Sequence, residues 1–459
     1  MTSMLSDDIK VKIGLEVHVP LNTEQKLFCH CPTNYYEVGE ANINTCPVCT
    51  GMPGAKPYPL NEKAIESAIM VAELLNCNIV YDNIFVKRKH YDYPDLPSGY
   101  QRTSEPIGRD GKISGVGIWE VHMEEDPGRY DLATGRVDYN RSGVPLIEVV
   151  TAPDMKTPED VRNFLKELTN LLKYTNRIID VGGVMRADVN ISIEGGARVE
   201  IKNINSVRGA YKALKFEILR QKGMMKRGVK VIQETRGFDE KSMITVAQRV
   251  KETAADYRYI PDPDIPPQQF DEQFVRKIEL PETPQTRKKR LLEKYGIAQQ
   301  YADTLVRDKD VADLYEAAAS KADPKSAAMW VCREVLGQLN YRGIELSESK
   351  LTADMLVEII QMVSSGQITE TVGKKLLEKV IDSGKSPEEV VKKESLGTVS
   401  GESQLSEAAE SVITENQQAV SDYKAGKAES LNFLMGQVMK KMRGRAEPSA
   451  VMKILKDRI

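Results

Sequence analysis

The spacing of hydrophobic residues changes once along the chain, and this change constrains the fold more than any other feature. Up to about residue 270, short runs of alternating apolar and polar residues are separated by Gly, Pro and Asn, which predicts β-strands. Three longer stretches, 61–76, 158–174 and 208–227, have apolar residues at helical spacing. From about residue 286 the spacing is helical almost throughout. The sequence therefore predicts an α+β fold in which a sheet-rich part precedes a helical part.

The same pattern divides the chain into segments. We expect a sheet-rich domain over residues 1–285 and an all-helical domain over residues 286–394. Residues 395–405 are mostly small and polar, which is typical of a linker. Two or three further helices are expected in a small tail domain over residues 406–459.

Composition excludes several classes of protein. The 459 residues include 64 Lys and Arg against 67 Asp and Glu, so the net charge of −3 excludes a generally basic nucleic-acid binder. A local basic patch is still compatible with this charge. Since no apolar run approaches the roughly 20 residues of a membrane span, we expect no membrane association. The first residues carry acids where a signal peptide carries bases, so we expect a cytoplasmic protein.

Four of the six cysteines lie close together in the sequence. Cys29 and Cys31 form a CxC pair, and after a gap of 14 residues Cys46 and Cys49 form a CxxC pair. Thiolates at such turns converge tetrahedrally on zinc, so we predict a structural zinc site over residues 29–49. Redox or catalytic use and free thiols are the alternatives. With four sulfur ligands, a zinc ion has no open position for chemistry.

Polar side chains share one face on four predicted strands. Alternation with apolar residues places Glu16 and His18 together, because side chains two residues apart in a strand point the same way. The other strands contribute Glu120, His122 and Glu124, then Glu148, and finally Arg186, Asp188 and Asn190. Glu125 should point away from Glu124. Two interpretations stay open at this point: a solvated sheet face, or a site for Mg²⁺ carrying phosphates, which favours such hard ligands.

Three common nucleotide-binding motifs are absent from the sequence. It contains no GxxxxGK[ST], no protein-kinase motif set and no GxGxxG after a predicted strand. Residues 88–97 combine bases, aromatics and prolines. This composition is compatible with a solvated loop and equally with the rim of a binding site.

A series of ordered motifs runs through most of the chain. The motifs are IGLEVHV (13–19), FCHC (28–31), NTCPVC (44–49), YPDLPSGYQ (93–101), HMEEDPG (122–128), VDYNRSGVPLIEVV (137–150), RADVNIS (186–192), IKNINS (201–206), QETRGFDE (233–240), DYRYIPDPDIPP (256–267) and NFLMGQVMKKMRGRAEP (432–448). In this order they resemble the B subunits of the aspartyl/glutamyl-tRNA amidotransferases. The resemblance implies a cradle-shaped, kinase-like catalytic domain followed by a helical domain and a tail domain.

The resemblance also implies a reaction. Members of this family use ATP and Mg²⁺ to phosphorylate the side-chain carboxylate of misacylated Asp-tRNA(Asn) or Glu-tRNA(Gln), and ammonia then displaces the phosphate. The ammonia comes from an amidase (glutaminase), the A subunit of a complex that also contains a small C subunit. The present chain has no Gly-Gly-Ser-Ser-Gly-Gly type signature, so it should not release ammonia from glutamine by itself.

Site residues follow from the matching motifs. The resemblance implies that four residues bind magnesium and act in catalysis, namely Glu16, His18, Glu124 and Glu148. Glu125 is the alternative ligand if the strand is shifted by one residue. Arg186 and Lys202 are expected either to neutralise phosphate charge or to form ordinary salt bridges. Asp188 and Asn190 join these two residues as expected cofactor-binding residues, only because their side chains share the polar face of the predicted strand.

The C-terminal region is basic in an otherwise acidic chain. Its last twenty residues contain seven bases and two acids, a net charge of +5. Such a run is often only a solvated helix face, but the family motif at residues 432–448 implies contact with tRNA. The residues expected to bind tRNA phosphates are Lys440, Lys441, Arg443 and Arg445.

The alternative function is a non-catalytic tRNA-binding or scaffold protein. The missing serine signature disfavours a free-standing glutamine-hydrolysing amidase.

Overall fold

The computed structural model describes residues 10–179, 185–250, 257–398, 402–442 and 444–459. The chain divides into two compact units, Met1–Glu282 and Thr283–Ile459. The first unit contains the strands and the second is helical, which confirms the predicted α+β class. The finer division into three domains remains a prediction.

The described residues of the first unit form fourteen strands. They are β1 (Val11–Pro20), β2 (Asn78–Ile79), β3 (Val86–His90), β4 (Tyr100–Ser104), β5 (Gly108–Ile113), β6 (Val116–Glu125), β7 (Arg129–Tyr130), β8 (Val137–Asp138), β9 (Pro145–Thr151), β10 (Arg186–Ile193), β11 (Val199–Ile204), β12 (Glu234–Asp239), β13 (Ile244–Val250) and β14 (Ile260–Pro261). Alternating apolar residues predict five strands, in VKIGLEVHV, GVGIWEVHM, VPLIEVV, VMRADVNISI and ARVEIKNI. All five are confirmed, as β1, β6, β9, β10 and β11.

Twelve of these strands form one sheet within the described part of the chain. The order along its main path is β13-β12-β11-β10-β1-β9-β6-β4-β3-β14, and β5 joins β2 to β6. Neighbouring strands are antiparallel except for the parallel pair of β11 and β12. The remaining strands, β7 and β8, pair with each other. Strand β1 lies near the middle of the sheet and therefore has partners on both sides.

The two faces of this sheet differ in polarity. In β1, Leu15, Val17 and Val19 are buried, and the residues between them are only partly buried. The buried residues belong to one apolar core with side chains from four helices. The opposite face holds Glu16 and His18, as the alternation predicts.

Helices cover the apolar face. The first unit contains α1 (Glu62–Leu74), α2 (Pro158–Tyr174), α3 (Val207–Lys226) and the short α4 (Glu272–Arg276). The predicted helices over 61–76, 158–174 and 208–227 are confirmed as α1, α2 and α3. Capping side chains fix where two of these helices begin. Thr157 and Asp160 form a reciprocal capping box at the start of α2, and Ser206 caps the start of α3.

All the regular secondary structure of the second unit, within its described residues, is helical. It contains α5 (Pro284–Tyr295), α6 (Gln299–Leu305), α7 (Lys309–Ala319), α8 (Pro324–Met329), a π-helix (Trp330–Val335), α9 (Leu336–Arg342), a 3₁₀ turn (Leu346–Glu348), α10 (Ala353–Ser364), α11 (Glu370–Ser383), α12 (Pro387–Glu394), α13 (Glu402–Glu415), α14 (Gln417–Lys424), α15 (Glu429–Lys441) and α16 (Pro448–Arg458).

Two separate apolar clusters lie within this unit, one from Leu291 to Val391 and one from Leu405 to Leu455. The predicted linker over 395–405 needs a correction. Residues 402–405 of this segment belong to helix α13, and Leu405 packs into the second cluster.

Candidate active site

The polar face of the large sheet gathers side chains that are far apart in sequence. In β1, His18 lies opposite Glu148 of β9 on one side and Arg186 of β10 on the other. Across the other edge of β9, Glu148 lies opposite His122 of β6. Directly opposed residues point to the same face of a sheet, so the strand register places these four side chains in one row.

His18, Glu124 and Glu148 converge beside this row. His18 Nε2 lies 3.6 Å from Glu148 Oε1 and 3.9 Å from Glu124 Oε2, and one ligand atom from each residue lies within 4.8 Å of the others. Ligands of an octahedral Mg²⁺ ion, about 2.1 Å from the metal, are about 3 to 4.2 Å apart. The three side chains, which we call the histidine–carboxylate group, therefore fit a magnesium ion after a small adjustment.

The electrostatics of this group favour a cation. Burial, and then the neighbouring charge of Glu124, raise the pKa of Glu148 to about 7, although His18 lowers it. Glu124 is itself buried, with 3% of its surface exposed. Two carboxylates held together away from water need a proton or a cation to offset their repulsion.

Two residues outside the predicted set orient Glu124. Gln101 of β4 donates its amide N–H groups to Glu124 Oε2 at 3.2 Å and to the Glu125 carbonyl at 2.8 Å. The hydroxyl of Tyr91 donates to Gln101 Oε1 at 2.9 Å, which fixes the orientation of the amide. Sequence reasoning missed Gln101 because β4, YQRTS, has no apolar alternation, whereas Tyr91 lies in the segment 88–97 that is compatible with the rim of a binding site. The motif YPDLPSGYQ, which ends at Gln101, was the available signal.

Glu16 belongs to a second group instead. Its carboxylate lies within 4.8 Å of oxygens from Asp188 and Glu200, and Asn190 donates a hydrogen bond to Glu16 Oε1 at 2.9 Å. Lys202 Nζ lies 2.9 Å from Asp188 Oδ2 and 3.2 Å from Glu200 Oε1. We call these five residues the carboxylate–lysine group. Sequence reasoning missed Glu200.

Glu125, the alternative magnesium ligand, needs a correction. It points to the opposite side of β6 from Glu124 and pairs with Arg102 at 3.2 Å. Arg102 also donates to Asp262 Oδ2 at 2.8 Å. The period of two along a strand explains the result, because adjacent residues cannot share a face.

Arg186 lies beside His18 in the register but is engaged by a carboxylate. Its Nη2 atom is 2.5 Å from Asp126 Oδ1, and Arg141 Nε lies 3.6 Å from the same oxygen. Arg186 is therefore an ion-paired side chain at the edge of the histidine–carboxylate group.

The four cysteines converge as the spacing predicts. Their Sγ atoms all lie within 4.8 Å of one another, and Cys49 Sγ lies 4.0 Å from Cys31 Sγ and 3.9 Å from Cys46 Sγ. Tetrahedral zinc with bonds of about 2.3 Å separates its sulfur ligands by about 3.8 Å. Cys29, Cys31, Cys46 and Cys49 therefore fit a zinc ion.

A buried lysine that sequence reasoning missed accompanies the cysteines. Lys26 is 1% exposed, and its Nζ lies 3.5 Å from Cys49 Sγ and 2.8 Å from the Asn44 carbonyl. A hydrogen bond with Cys29, and then the charge of Lys26, lower the pKa of Cys49 to about 5. At this place the ammonium of Lys26 would offset part of the negative charge of four thiolates if they bound a divalent ion.

Comparison with known proteins places this arrangement in a family. A family model described as "GatB/GatE catalytic domain" matches residues 11–276, and one described as "GatB domain" matches residues 313–459. The chain belongs to the GatB/GatE family. The first match covers the strands that carry both groups and the cysteines, and the second covers the tail of this family member.

Full-length relatives support the assignment. The B subunit of the aspartyl/glutamyl-tRNA(Asn/Gln) amidotransferase of Methanocaldococcus jannaschii is 51% identical, with 99% of this chain and 98% of the relative aligned. The B subunit from Methanobrevibacter smithii is also 51% identical, over 97% and 99% of the two chains. That from Methanothermobacter thermautotrophicus is 50% identical, over 98% and 100%.

The basic residues of the tail have different surroundings. Lys440 is on α15 and has no ion-pair partner among the described residues. Lys441 Nζ lies 2.8 Å from Glu415 Oε1, and Arg445 donates to the Ser395 carbonyl at 2.9 Å. Arg443 lies outside the described residues.

Among the helices that the structure describes, none combines the length and the apolar character of a membrane span.

Proposed function

We propose that this chain is the carboxylate-activating component of an ATP-dependent carbon–nitrogen ligase with glutamine as the nitrogen donor. Its substrates would be misacylated Asp-tRNA(Asn), Glu-tRNA(Gln) or both, the acceptors in the names of its relatives. The observation that carries the proposal is the histidine–carboxylate group, which three neighbouring strands assemble in a chain of this family.

The chemistry requires an activated carboxylate, because a carboxylate anion repels nucleophiles and has no good leaving group. In the proposed reaction, a side-chain carboxylate oxygen bonds to the γ-phosphorus of ATP, and ADP leaves with the electron pair of the broken P–O bond. Ammonia then bonds to the acyl carbon, phosphate leaves with the electrons of the C–O bond, and the nitrogen loses a proton. Such phosphoryl transfer depends mainly on positioning and charge stabilisation.

His18, Glu124 and Glu148 would hold the magnesium ion of this reaction, and Glu16 would lie beside them. When bound, Mg²⁺ neutralises charge on phosphate oxygens and so lowers the barrier to their transfer. Gln101 supports the assignment, since it holds Glu124 in one orientation.

Four further residues form the proposed surface near the cofactor: Arg186, Asp188, Asn190 and Lys202. Their ion pairs and hydrogen bonds support a role in fixing the walls of the site. Lys202 pairs with both Asp188 and Glu200, which would hold these three side chains in fixed positions beside the phosphate.

The other proposed contacts lie away from this site. A structural zinc ion would be bound by the four cysteines, and Lys440, Lys441, Arg443 and Arg445 would bind tRNA phosphates. We also propose an amidase and a further small protein, the A and C subunits of the same complex, as partners. The reason is that the reaction needs a supply of ammonia that this chain does not provide.

The test is reconstitution with these partners, followed by assays of amidation on each misacylated tRNA. The wild-type complex should form ADP only when a misacylated tRNA is present. Glu148→Gln should lower this ADP formation by orders of magnitude while the partner's glutamine hydrolysis stays measurable. Near wild-type amidation by Glu148→Gln would contradict the role of this group. ATP cleavage that is independent of the aminoacyl group would contradict the proposed function.

A further inference from the structure

A lysine that the sequence analysis does not assign to the site lies on the same sheet face as the histidine–carboxylate group. Lys89 of β3 is directly opposite Gln101 of β4, so the two side chains share a face. Gln101 reaches from this position to Glu124. Lys89 therefore lies on the strand next to Gln101, the residue that orients the proposed magnesium ligand Glu124.

Aromatic rings, and no carboxylate, contact the Lys89 ammonium. Its Nζ lies 5.0 Å from the ring centre of Tyr257 and 6.0 Å from that of Tyr91. Within the described part of the chain, no acidic side chain lies within ion-pair distance, 4.0 Å, of Lys89. Cation–π contacts hold an ammonium in place but leave its N–H groups available to an anionic ligand.

Neighbouring cations differ from Lys89 in this respect. Arg186 pairs with Asp126 at 2.5 Å, and Lys202 pairs with Asp188 at 2.9 Å. Lys87, two residues before Lys89 in the same strand, pairs with Glu105 at 2.6 Å. Each of these three cations has a carboxylate within ion-pair distance, whereas Lys89 has none among the described residues.

The environment keeps Lys89 protonated. Burial lowers its pKa, but the carboxylates of Glu124 and Glu148 and the phenol of Tyr259 raise it further, so the pKa lies above the usual value for lysine. An ammonium that is charged at neutral pH, partly desolvated and held without a carboxylate in ion-pair contact suits the oxygens of a phosphate.

We propose that Lys89 is a catalytic residue whose ammonium contacts the phosphoryl oxygens during their transfer from ATP to the substrate carboxylate. This inference rests on the proposed function. In the transfer, the new bond joins the carboxylate oxygen to phosphorus, and the broken bond releases ADP with its electron pair. Lys89 gives up no proton in this step and acts only through its charge and its hydrogen bonds.

The experiment compares Lys89→Met with Lys89→Arg and with the matched control Lys87→Met in the reconstituted complex. Lys87 lies on the same strand and face but is already paired. ADP formation that depends on misacylated tRNA is measured alongside glutamine hydrolysis by the partner. Loss of a preorganised charge-stabilising donor lowers kcat by about 100- to 1000-fold, and we expect this for Lys89→Met.

The expected pattern has three further parts. The KM for misacylated tRNA should stay within a few-fold of wild type, Lys89→Arg should recover part of kcat, and Lys87→Met should resemble wild type. ADP formation by Lys89→Met at the wild-type rate with lost amide product would overturn the inference, because the lysine would then act on ammonia. Equal losses in Lys87→Met, or no recovery with Lys89→Arg, would also overturn it. A wild-type complex without tRNA-dependent ADP formation would instead overturn the proposed function itself.

Discussion

Replacing Gln101 with leucine tests how Glu124 is oriented. The substitution keeps a side chain of similar size but removes both amide donors, one of which bonds Glu124 Oε2 at 3.2 Å and the other the Glu125 carbonyl at 2.8 Å. It also leaves the hydroxyl of Tyr91 without its acceptor. Because Gln101 is buried, no bulk water replaces the lost contacts.

The expected loss follows from these contacts. A hydrogen bond to a charged group contributes about 1.5–3 kcal/mol, which corresponds to roughly 10- to 150-fold in an equilibrium constant. Removal of a residue that orients a metal ligand typically lowers metal affinity about 10- to 100-fold. We therefore expect the apparent affinity for Mg²⁺ to fall by about 10- to 100-fold in Gln101→Leu. Tyr91→Phe removes one neutral donor and should cost only a few-fold.

The assay is a Mg²⁺ titration of tRNA-dependent ADP formation in the reconstituted complex. Saturating Mg²⁺ should bring kcat of Gln101→Leu to within a few-fold of wild type, since the ligands themselves are intact. Zinc content and melting temperature serve as controls for the fold. An unchanged Mg²⁺ dependence, or a loss of kcat that Mg²⁺ does not restore, would refute the reasoning.

Three other predictions concern separate parts of the chain. Cys46→Ser should release zinc and lower the melting temperature, as measured by elemental analysis and calorimetry, because metal binding contributes to folding. Since the pKa of Glu148 is raised from 4.5 to about 7, the metal-free fold binds an extra proton between these two pH values. Its unfolding free energy should therefore decrease as pH rises through this interval, while Mg²⁺ affinity increases; denaturant titrations that show the opposite slope would contradict this. Lys440→Ala should weaken tRNA binding and flatten its salt dependence more than Lys441→Ala, which removes a lysine that Glu415 already neutralises.

Strands with regular apolar alternation could be predicted from the sequence together with their polar faces. In β1, and in β6 after the irregularity between Ile118 and Glu120, apolar residues alternate with polar ones. The shared face of Glu16 and His18, and the opposite directions of Glu124 and Glu125, follow from this period of two. The four cysteines were similarly predictable, because their spacing is short and local.

Other parts of the site depend on buried polar residues that carry no periodic signal. Strand β4 buries Gln101, Arg102, Thr103 and Ser104 in succession, and β3 is mostly basic. Residues 88–97 were compatible with a solvated loop, yet the first three belong to β3. Polar strands are stabilised by specific partners such as Asp262, and those partners are distant in sequence.

Strand order explains why two polar residues on the same face of β1 have different neighbours. Glu16 lies opposite Asp188 of β10, whereas His18 lies opposite Glu148 of β9. The strand beyond β10 supplies Lys202, a cation that pairs with Asp188, while the strand beyond β9 supplies the acidic Glu124. In the carboxylate–lysine group an ammonium already lies at carboxylate oxygens, whereas the carboxylates of the histidine–carboxylate group face an imidazole. We therefore expect a divalent ion to bind the histidine–carboxylate group, where it does not compete with an ammonium, so that the register of the sheet, more than the number of carboxylates, would select the position of the metal.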